Sequence, residues 1–241
     1  MEINKDFALL YGIMLGDGCL SLVSGKKKFI TITCSLKDDL PFFETILSPI
    51  LKEFRGKDTK IKFRKSYGAI EFNFTDSKMF DFIHSIGFPI GKKGTGIIIP
   101  EIFYQRNLVR FVVQGFFATD GSLVLTKNPN KYYLRIEAHA ICKNLIKQIA
   151  DYLNEIGLNG HFYECKRVLD TSFTRNFPNY RFQFNGKKNL LLFDNLIGFV
   201  NPKHKKRFDE FIDYSNRYDF IPFAYRKDMA LGRVELPISA L

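Results

Sequence analysis

Residues 7–18 read Phe-Ala-Leu-Leu-Tyr-Gly-Ile-Met-Leu-Gly-Asp-Gly, and residues 110–121 read Arg-Phe-Val-Val-Gln-Gly-Phe-Phe-Ala-Thr-Asp-Gly. Each reads as a short apolar helix that stops at an acidic residue followed by glycine. Gly12 pairs with Gly115 and Asp17 with Asp120, at an offset of 103. A lone Asp-Gly is more often a helix stop or a hairpin turn. Two copies, each on a glycine-containing apolar helix and each followed by alternating residues, point instead to an internal duplication.

The segments downstream of each copy also match. Alternation over 19–23 and 29–35, and over 122–126 and 132–139, predicts a hairpin in each half. Apolar spacing over 38–54 and 143–156 predicts a helix. Two further alternating runs follow at 60–64 with 69–74, and at 162–166 with 180–184, and a third helix closes each unit over 77–86 and 188–197. The closing segments Gly87-Phe-Pro-Ile-Gly-Lys92 and Gly198-Phe-Val-Asn-Pro-Lys203 align at an offset of 111, so eight residues are gained, placed in the loop 168–178. The expected fold is α+β: two pseudo-symmetric αββαββα units with antiparallel β saddles, helices packed behind them and the two motif helices at the interface. The expected division is an N-terminal half 1–93, a linker 94–106 broken by Pro100, a C-terminal half 107–215 and a tail 216–241.

The chain has 241 residues, of which 46% are hydrophobic, enough for a sizeable core. Its 36 Lys and Arg against 25 Asp and Glu leave a charge of +11, the footprint of a protein that works on a polyanion. The basic residues are spread along the chain, which argues against a membrane surface. Cys19, Cys34, Cys142 and Cys165 form no CxxC pair and are expected to be reduced thiols. No N-terminal signal or long apolar span is seen, so the expected location is intracellular: an organelle if organelle-encoded, otherwise a bacterial or archaeal cytoplasm.

Gly12 and Gly16 share one helix face, as do Gly115 and Thr119, so the two motif helices can approach closely. Packed side by side in parallel, they bring Asp17 and Asp120 together at helix ends that are already negative. Two carboxylates about 4 Å apart cost about 4 kcal/mol at an effective dielectric near 20. Such a pair needs a raised pKa or a bound cation, and hard oxygen ligands at low ligand count favour Mg²⁺. Metal-assisted phosphodiester hydrolysis is the chemistry that follows.

The two motifs, Leu10-Tyr-Gly-Ile-Met-Leu-Gly-Asp-Gly18 and Val113-Gln-Gly-Phe-Phe-Ala-Thr-Asp-Gly121, resemble those of the LAGLIDADG homing endonucleases in the form that joins both in one chain. The resemblance spans roughly residues 7–215 in element order. It implies a monomer in which each half lays a saddle of strands into the DNA major groove, and cleavage of both strands of a long asymmetric duplex to leave 3′ overhangs. It implies divalent metal, Mg²⁺ with Mn²⁺ or Ca²⁺ able to occupy the same sites, held by Asp17 and Asp120 with the carbonyls of Gly16 and Thr119. It also implies a catalytic lysine after the third helix of each unit. By the internal repeat these are Lys92 and Lys203, with Lys93 and Lys205 as rivals. Tyr11 and Gln114 depart from the small second residue of the family motif, and Thr119 from its usual Ala or Gly. The alternative reading is an intron RNA maturase on the same scaffold.

Strand alternation turns Ile61, Phe63, Phe72, Phe74, Leu134, Ile136, Phe182 and Phe184 toward the helices. The opposite face is expected to read double-stranded DNA through Thr31, Thr33, Lys60, Lys62, Arg64, Glu71 and Asn73 in the first half. In the second it uses Arg135, Glu137, His139, Glu164, Lys166, Arg181 and Gln183. The lysine-rich stretches 26–28, 127–131 and 203–207 suit phosphate contacts. None of His84, His139, His161 and His204 has a partner at metal-ligand spacing, and none is assigned a catalytic role.

Overall fold

The computed structural model describes residues 1–128, 131–165 and 179–219. The first unit runs α1 (Lys5–Asp17), β1 (Gly18–Val23), β2 (Lys27–Ser35), α2 (Leu36–Phe42), α3 (Ser48–Arg55), β3 (Lys62–Arg64), β4 (Ala69–Thr75) and α4 (Ser77–Ser85). After α5 (Glu101–Gln105) the second runs α6 (Val109–Asp120), β5 (Gly121–Asn128), β6 (Lys131–Ala140), α7 (Lys143–Glu155), β7 (Gly160–Cys165), β8 (Asn179–Asn185) and α8 (Lys187–Leu196). The two antiparallel four-stranded sheets have orders β1-β2-β4-β3 and β5-β6-β8-β7. The identical topology is what the duplicated motif predicts.

Local chemistry sets several boundaries. The Asn4 side chain accepts from the Phe7 N–H at 2.9 Å and starts α1; Asp76 does the same for α4 through the Met79 N–H at 3.1 Å. Pro41 removes an amide donor inside α2, and the turn that follows, Phe43–Leu47, widens to a π-helical turn before α3 resumes. Gly56 ends α3 at φ +66°, its N–H closing on the Lys52 carbonyl.

Helices α1 and α6 pack directly on one another, backbone to backbone. A Cβ on Gly12 would overlap the Val112 carbonyl oxygen, and one on Gly115 the Leu9 carbonyl oxygen. These reciprocal approaches are the physical reason for a glycine in each motif. Around them Leu9, Leu10, Ile13, Val112, Val113, Phe116 and Phe117 are all buried. Gly115→Ala forces backbone apart rather than a flexible side chain, so it should destabilise the fold by about 3 kcal/mol or more. Urea titration checks this; a loss below about 0.5 kcal/mol would mean the helices separate without cost.

Three features go beyond the sequence pattern. The linker 94–106 is docked: Phe103 is fully buried between Phe7 and Tyr11, and the Gln148 amide clamps both the N–H and the carbonyl of Ile99, at 2.8 and 3.3 Å. Phe63 lies on the helix-facing side of β3 opposite Ile70, yet it is 52% exposed, because β3 is a short edge strand. A further helix, α9 (Pro202–Asp219), follows the second unit and buries Phe208 and Phe211. The loop 168–178 and the chain beyond 219 lie outside the described residues, as do the side chains of 126–133.

Candidate functional site

Each motif helix ends at its acid, and the next residue, Gly18 or Gly121, begins the first strand of its sheet. Asp17 and Asp120 therefore stand where the two helices meet the two sheets. A Cβ on Gly16 would overlap the Thr119 hydroxyl and lie 3.3 Å from the Asp120 carboxyl carbon, so the second acid is seated against the backbone of the first helix. The Thr119 hydroxyl turns back to donate to the Phe116 carbonyl at 3.0 Å.

Burial raises both carboxyls above the ordinary aspartate range. Asp120 is pushed up to about 6, first by desolvation and then by Asp17, with the ammoniums of Lys93 and Lys203 pulling the other way. Asp17 is raised by desolvation; the Cys34 thiol, which donates to its Oδ2 at 3.1 Å, offsets this, as do Lys93 and Lys203, whereas Asp39 adds to it. Burial and the neighbouring acids push the Cys34 thiol far up, so it stays protonated and can only donate to Asp17.

The lysine brought to the acids in the first half is Lys93, not Lys92. The Gly91 N–H donates to the Leu20 carbonyl at 2.7 Å, and Gly91 sits at φ +83°, so the loop after α4 turns back over the end of α1. Lys93 Nζ then reaches the carbonyls of Met14, Leu15 and Gly16, and burial lowers its pKa against the pull of Asp120 and Asp17. Lys92 is exposed. In the second half Lys203 is the lysine that acts on both acids, while its rival Lys205 pairs outward with Asp194 and Asp209. At the 111 offset Lys93 matches His204, which lies against the Phe117 ring. Its imidazole is held at about 3 by burial and by Lys203, and so stays neutral.

The donor set at this point is two half-buried carboxylates and the carbonyls of helix C-termini, all hard oxygens. Both acids are destabilised as anions, which is the condition a divalent cation relieves. The residues fit such a cation. Among the described residues no cluster of three metal-ligating side chains exists, so backbone or external oxygens would complete the shell.

Leading away from the acids, the face opposite the helices carries the expected polar residues in the first sheet. Thr31 lies opposite Asn73, and Thr33 and Lys62 both flank Glu71. Asn73 donates to the Thr31 hydroxyl at 3.0 Å and accepts from Lys62 at 3.2 Å. Lys60 is exposed ahead of β3. Alternation of β1 adds Cys19 and Ser21 to this face, residues the reading of β2–β4 did not include.

The acids on these faces are not free readers. Glu71 is 4% exposed and takes a two-pronged contact from Arg64 at 2.7 and 2.8 Å. Glu137 is buried beneath Arg135 at 2.8 Å, His139 at 3.7 Å and Arg181 at 4.0 Å. A desolvated carboxylate must be paired, and here its work is to hold guanidiniums. Glu164 belongs to the other face: β7 registers it against Tyr180 and Phe162 against Phe182, and it pairs with Lys143 of α7. The strand parity read from the sequence was therefore one residue out, and His161 and Tyr163 occupy the polar face beside Gln183 and Arg181. Arg181 lies over the Tyr163 ring at 5.1 Å. Gln183 donates to Asn185 at 2.9 Å. Lys166 lies outside the described residues. Lys26, Lys27, Lys28, Arg55, Lys57 and Lys62 line a basic groove at the far end of the first sheet.

The four cysteines are free thiols. Among the described residues no helix is long and apolar enough to cross a membrane.

Residues 94–198 match the family of LAGLIDADG-like domains. No curated protein matches the sequence. Among solved structures, the I-LtrWI LAGLIDADG homing endonuclease bound to target DNA superposes with a TM-score of 0.60 at 12% identity, covering 96% of this chain and 99% of its own. The LAGLIDADG meganuclease I-AabMI bound to uncleaved DNA gives 0.58 at 14%, covering 97% and 100%. I-DmoI in complex with DNA and Ca gives 0.53 at 15%, covering 82% and 92%. At these identities the likeness establishes the fold, which is the two-domain LAGLIDADG fold.

Proposed function

We propose that this chain, which carries a LAGLIDADG-like domain in the two-domain LAGLIDADG fold, is a site-specific homing endonuclease. It acts as a monomer with divalent metal, hydrolysing both strands of a long asymmetric duplex and leaving 3′ overhangs. The observation that carries this reading is the meeting of two half-buried, mutually repelling carboxylates at one point, with a polar sheet face leading away from each. The solved relatives bound to DNA, and those holding Ca or Mn, support it.

A divalent cation would be held by Asp17 and Asp120 with the Thr119 carbonyl, the Gly16 carbonyl being taken by the Lys93 ammonium in the structure, and would supply Lewis-acid stabilisation of phosphate charge and a more acidic attacking water. The protein's own residues do the rest. Cys34 orients the Asp17 carboxylate through its thiol hydrogen bond. Lys93 and Lys203 place positive charge beside the acids, where the scissile phosphate gathers negative charge. The sheet faces grip the duplex on either side, through basic ends that hold phosphate and inner residues that meet base edges.

The fixed guanidiniums of Arg64, Arg135 and Arg181 are suited to guanine, each bidentate pair being worth about 1–3 kcal/mol of discrimination. Arg135→Ala should weaken binding by that amount and relax preference at one base pair. Competition binding in Ca²⁺ over a single-substitution series of the target reads this; uniform weakening at every position would make Arg135 a phosphate contact.

The test of the function is incubation with a randomised duplex library in Mg²⁺, followed by sequencing of new ends. A single family of double-strand ends with 3′ extensions is expected. No cleavage in either Mg²⁺ or Mn²⁺, or blunt ends, overturns it.

A further inference from the structure

Asp39 is a core position occupied by an acid. It lies on α2 and is 4% exposed. With the helix caps Ser35 and Cys142 aligned, at an offset of 107, its twin in the second half is Ile146, fully buried and apolar. The fold therefore accommodates hydrocarbon at this place, and a buried carboxylate there must be satisfied by partners.

Those partners come from the other half. Asp39 Oδ1 accepts from Asn201 Nδ2 at 2.8 Å and pairs with Lys203 Nζ at 2.7 Å, while Oδ2 accepts from the Ser35 N–H at 3.2 Å. Asn201, itself 1% exposed, also donates to the Ala118 carbonyl near the end of α6 and accepts from the Lys203 N–H at 3.1 Å. The chain Asp39–Asn201–Ala118 thus ties the first half to the second motif helix, and Asp39 holds the ammonium of Lys203, a side chain 30% exposed, beside the acids. The charged groups around Lys203 include Asp39, Asp17 and Asp120.

Resting on the nuclease reading above, we infer that Asp39 is a positioning residue: it anchors Lys203 from the opposite half of the molecule, so the second lysine works only when the two halves are joined. The twin arrangement is absent in the first half, where Lys93 lies directly on the carbonyls of α1. The two sites are unequal in how their lysine is held.

The test compares Asp39→Asn, Lys203→Met and the double variant on the enzyme's own target, selected from the library above. It reads the single-turnover rate in Mg²⁺, DNA affinity in Ca²⁺ and the melting temperature. Asp39→Asn should slow cleavage about 10- to 100-fold with affinity unchanged within about threefold, and the nicked intermediate should accumulate. The double variant should be no slower than Lys203→Met, because Asp39 acts through that lysine. Losses that multiply, a loss confined to affinity, or a Lys203→Met rate equal to wild type each overturn the inference. Asp39→Ile, carrying the residue of the twin position, is the second variant; failure of both Asp39 variants to fold makes the acid structural and also overturns it. A wild type that cuts nothing overturns the nuclease reading, whereas a cutting wild type with multiplying losses overturns this inference alone.

Discussion

Asp120→Asn is expected to lower the single-turnover cleavage rate about 10³-fold, roughly 4 kcal/mol of transition-state stabilisation, while making the metal-free protein more stable near neutral pH. Asp17→Asn should do the same to the rate. The two effects have one cause. A carboxylate desolvated between two helix C-termini and beside a second acid is a poor anion on its own and a good ligand for a cation. Asp120 is raised in the folded state from 3.8 to about 6, so the folded protein holds its proton more tightly than the unfolded chain does. That contribution is fully present below about pH 4 and is lost as pH rises toward about 6. Asn cannot ionise and escapes the loss, which is of order 3 kcal/mol. Chemical denaturation of wild type and variant across pH 4 to 7.5 in EDTA checks this. The wild type should fall relative to Asp120→Asn as pH rises, and parallel curves would show that the acid is not destabilised by its surroundings. Ca²⁺ should reverse the penalty in the wild type, and leave the variant with both acids replaced by Asn unchanged.

Lys93→Met should slow cleavage about 10²-fold or more with DNA affinity kept within about threefold, whereas Lys92→Met should change the rate by less than about threefold. The difference follows from their placement one residue apart. Gly91 closes the loop onto Leu20, and the next turn of chain carries Lys93 over the end of α1, where its ammonium meets the carbonyls of Leu15 and Gly16 and feels both acids. Lys92 faces solvent. A desolvated ammonium held on helix carbonyls is already oriented before DNA arrives, so its loss appears in the chemical step rather than in binding. Equal losses for the two variants, or a Lys93 effect seen only in affinity, would return the lysine to the role of phosphate contact.

Much of the molecule is legible in its sequence. The paired Gly and Asp-Gly positions set the element order and the two-sheet architecture, because close helix packing tolerates nothing larger than Gly12 and Gly115 at the crossing. The first sheet's polar face followed from alternation, since residues two apart must share a side. The parity of β7 did not follow: an edge strand with Phe162, Tyr163 and His161 in succession offers aromatic residues to both faces, and only its register against β8 shows that Glu164 lies with the apolar set.

The sequence by itself determined the duplication, the helix–sheet alternation and the place of an acid at the end of each motif helix, all of which depend on local spacing. What only the tertiary structure decided are the side-chain contacts that strand and helix spacing leave open. Lys93, not Lys92, is carried to the acids by a loop turning at Gly91, and Glu71 and Glu137 lie beneath arginines, Arg64 and Arg181 arriving from adjacent strands and Arg135 from two residues along the same strand. Asp39 found Asn201 and Lys203 more than 160 residues away. No periodicity encodes such pairs, because they are fixed by where the halves meet. Asp17 and Asp120 are thus joined by a lysine from each half, one resting on its own motif helix and the other held by the opposite unit.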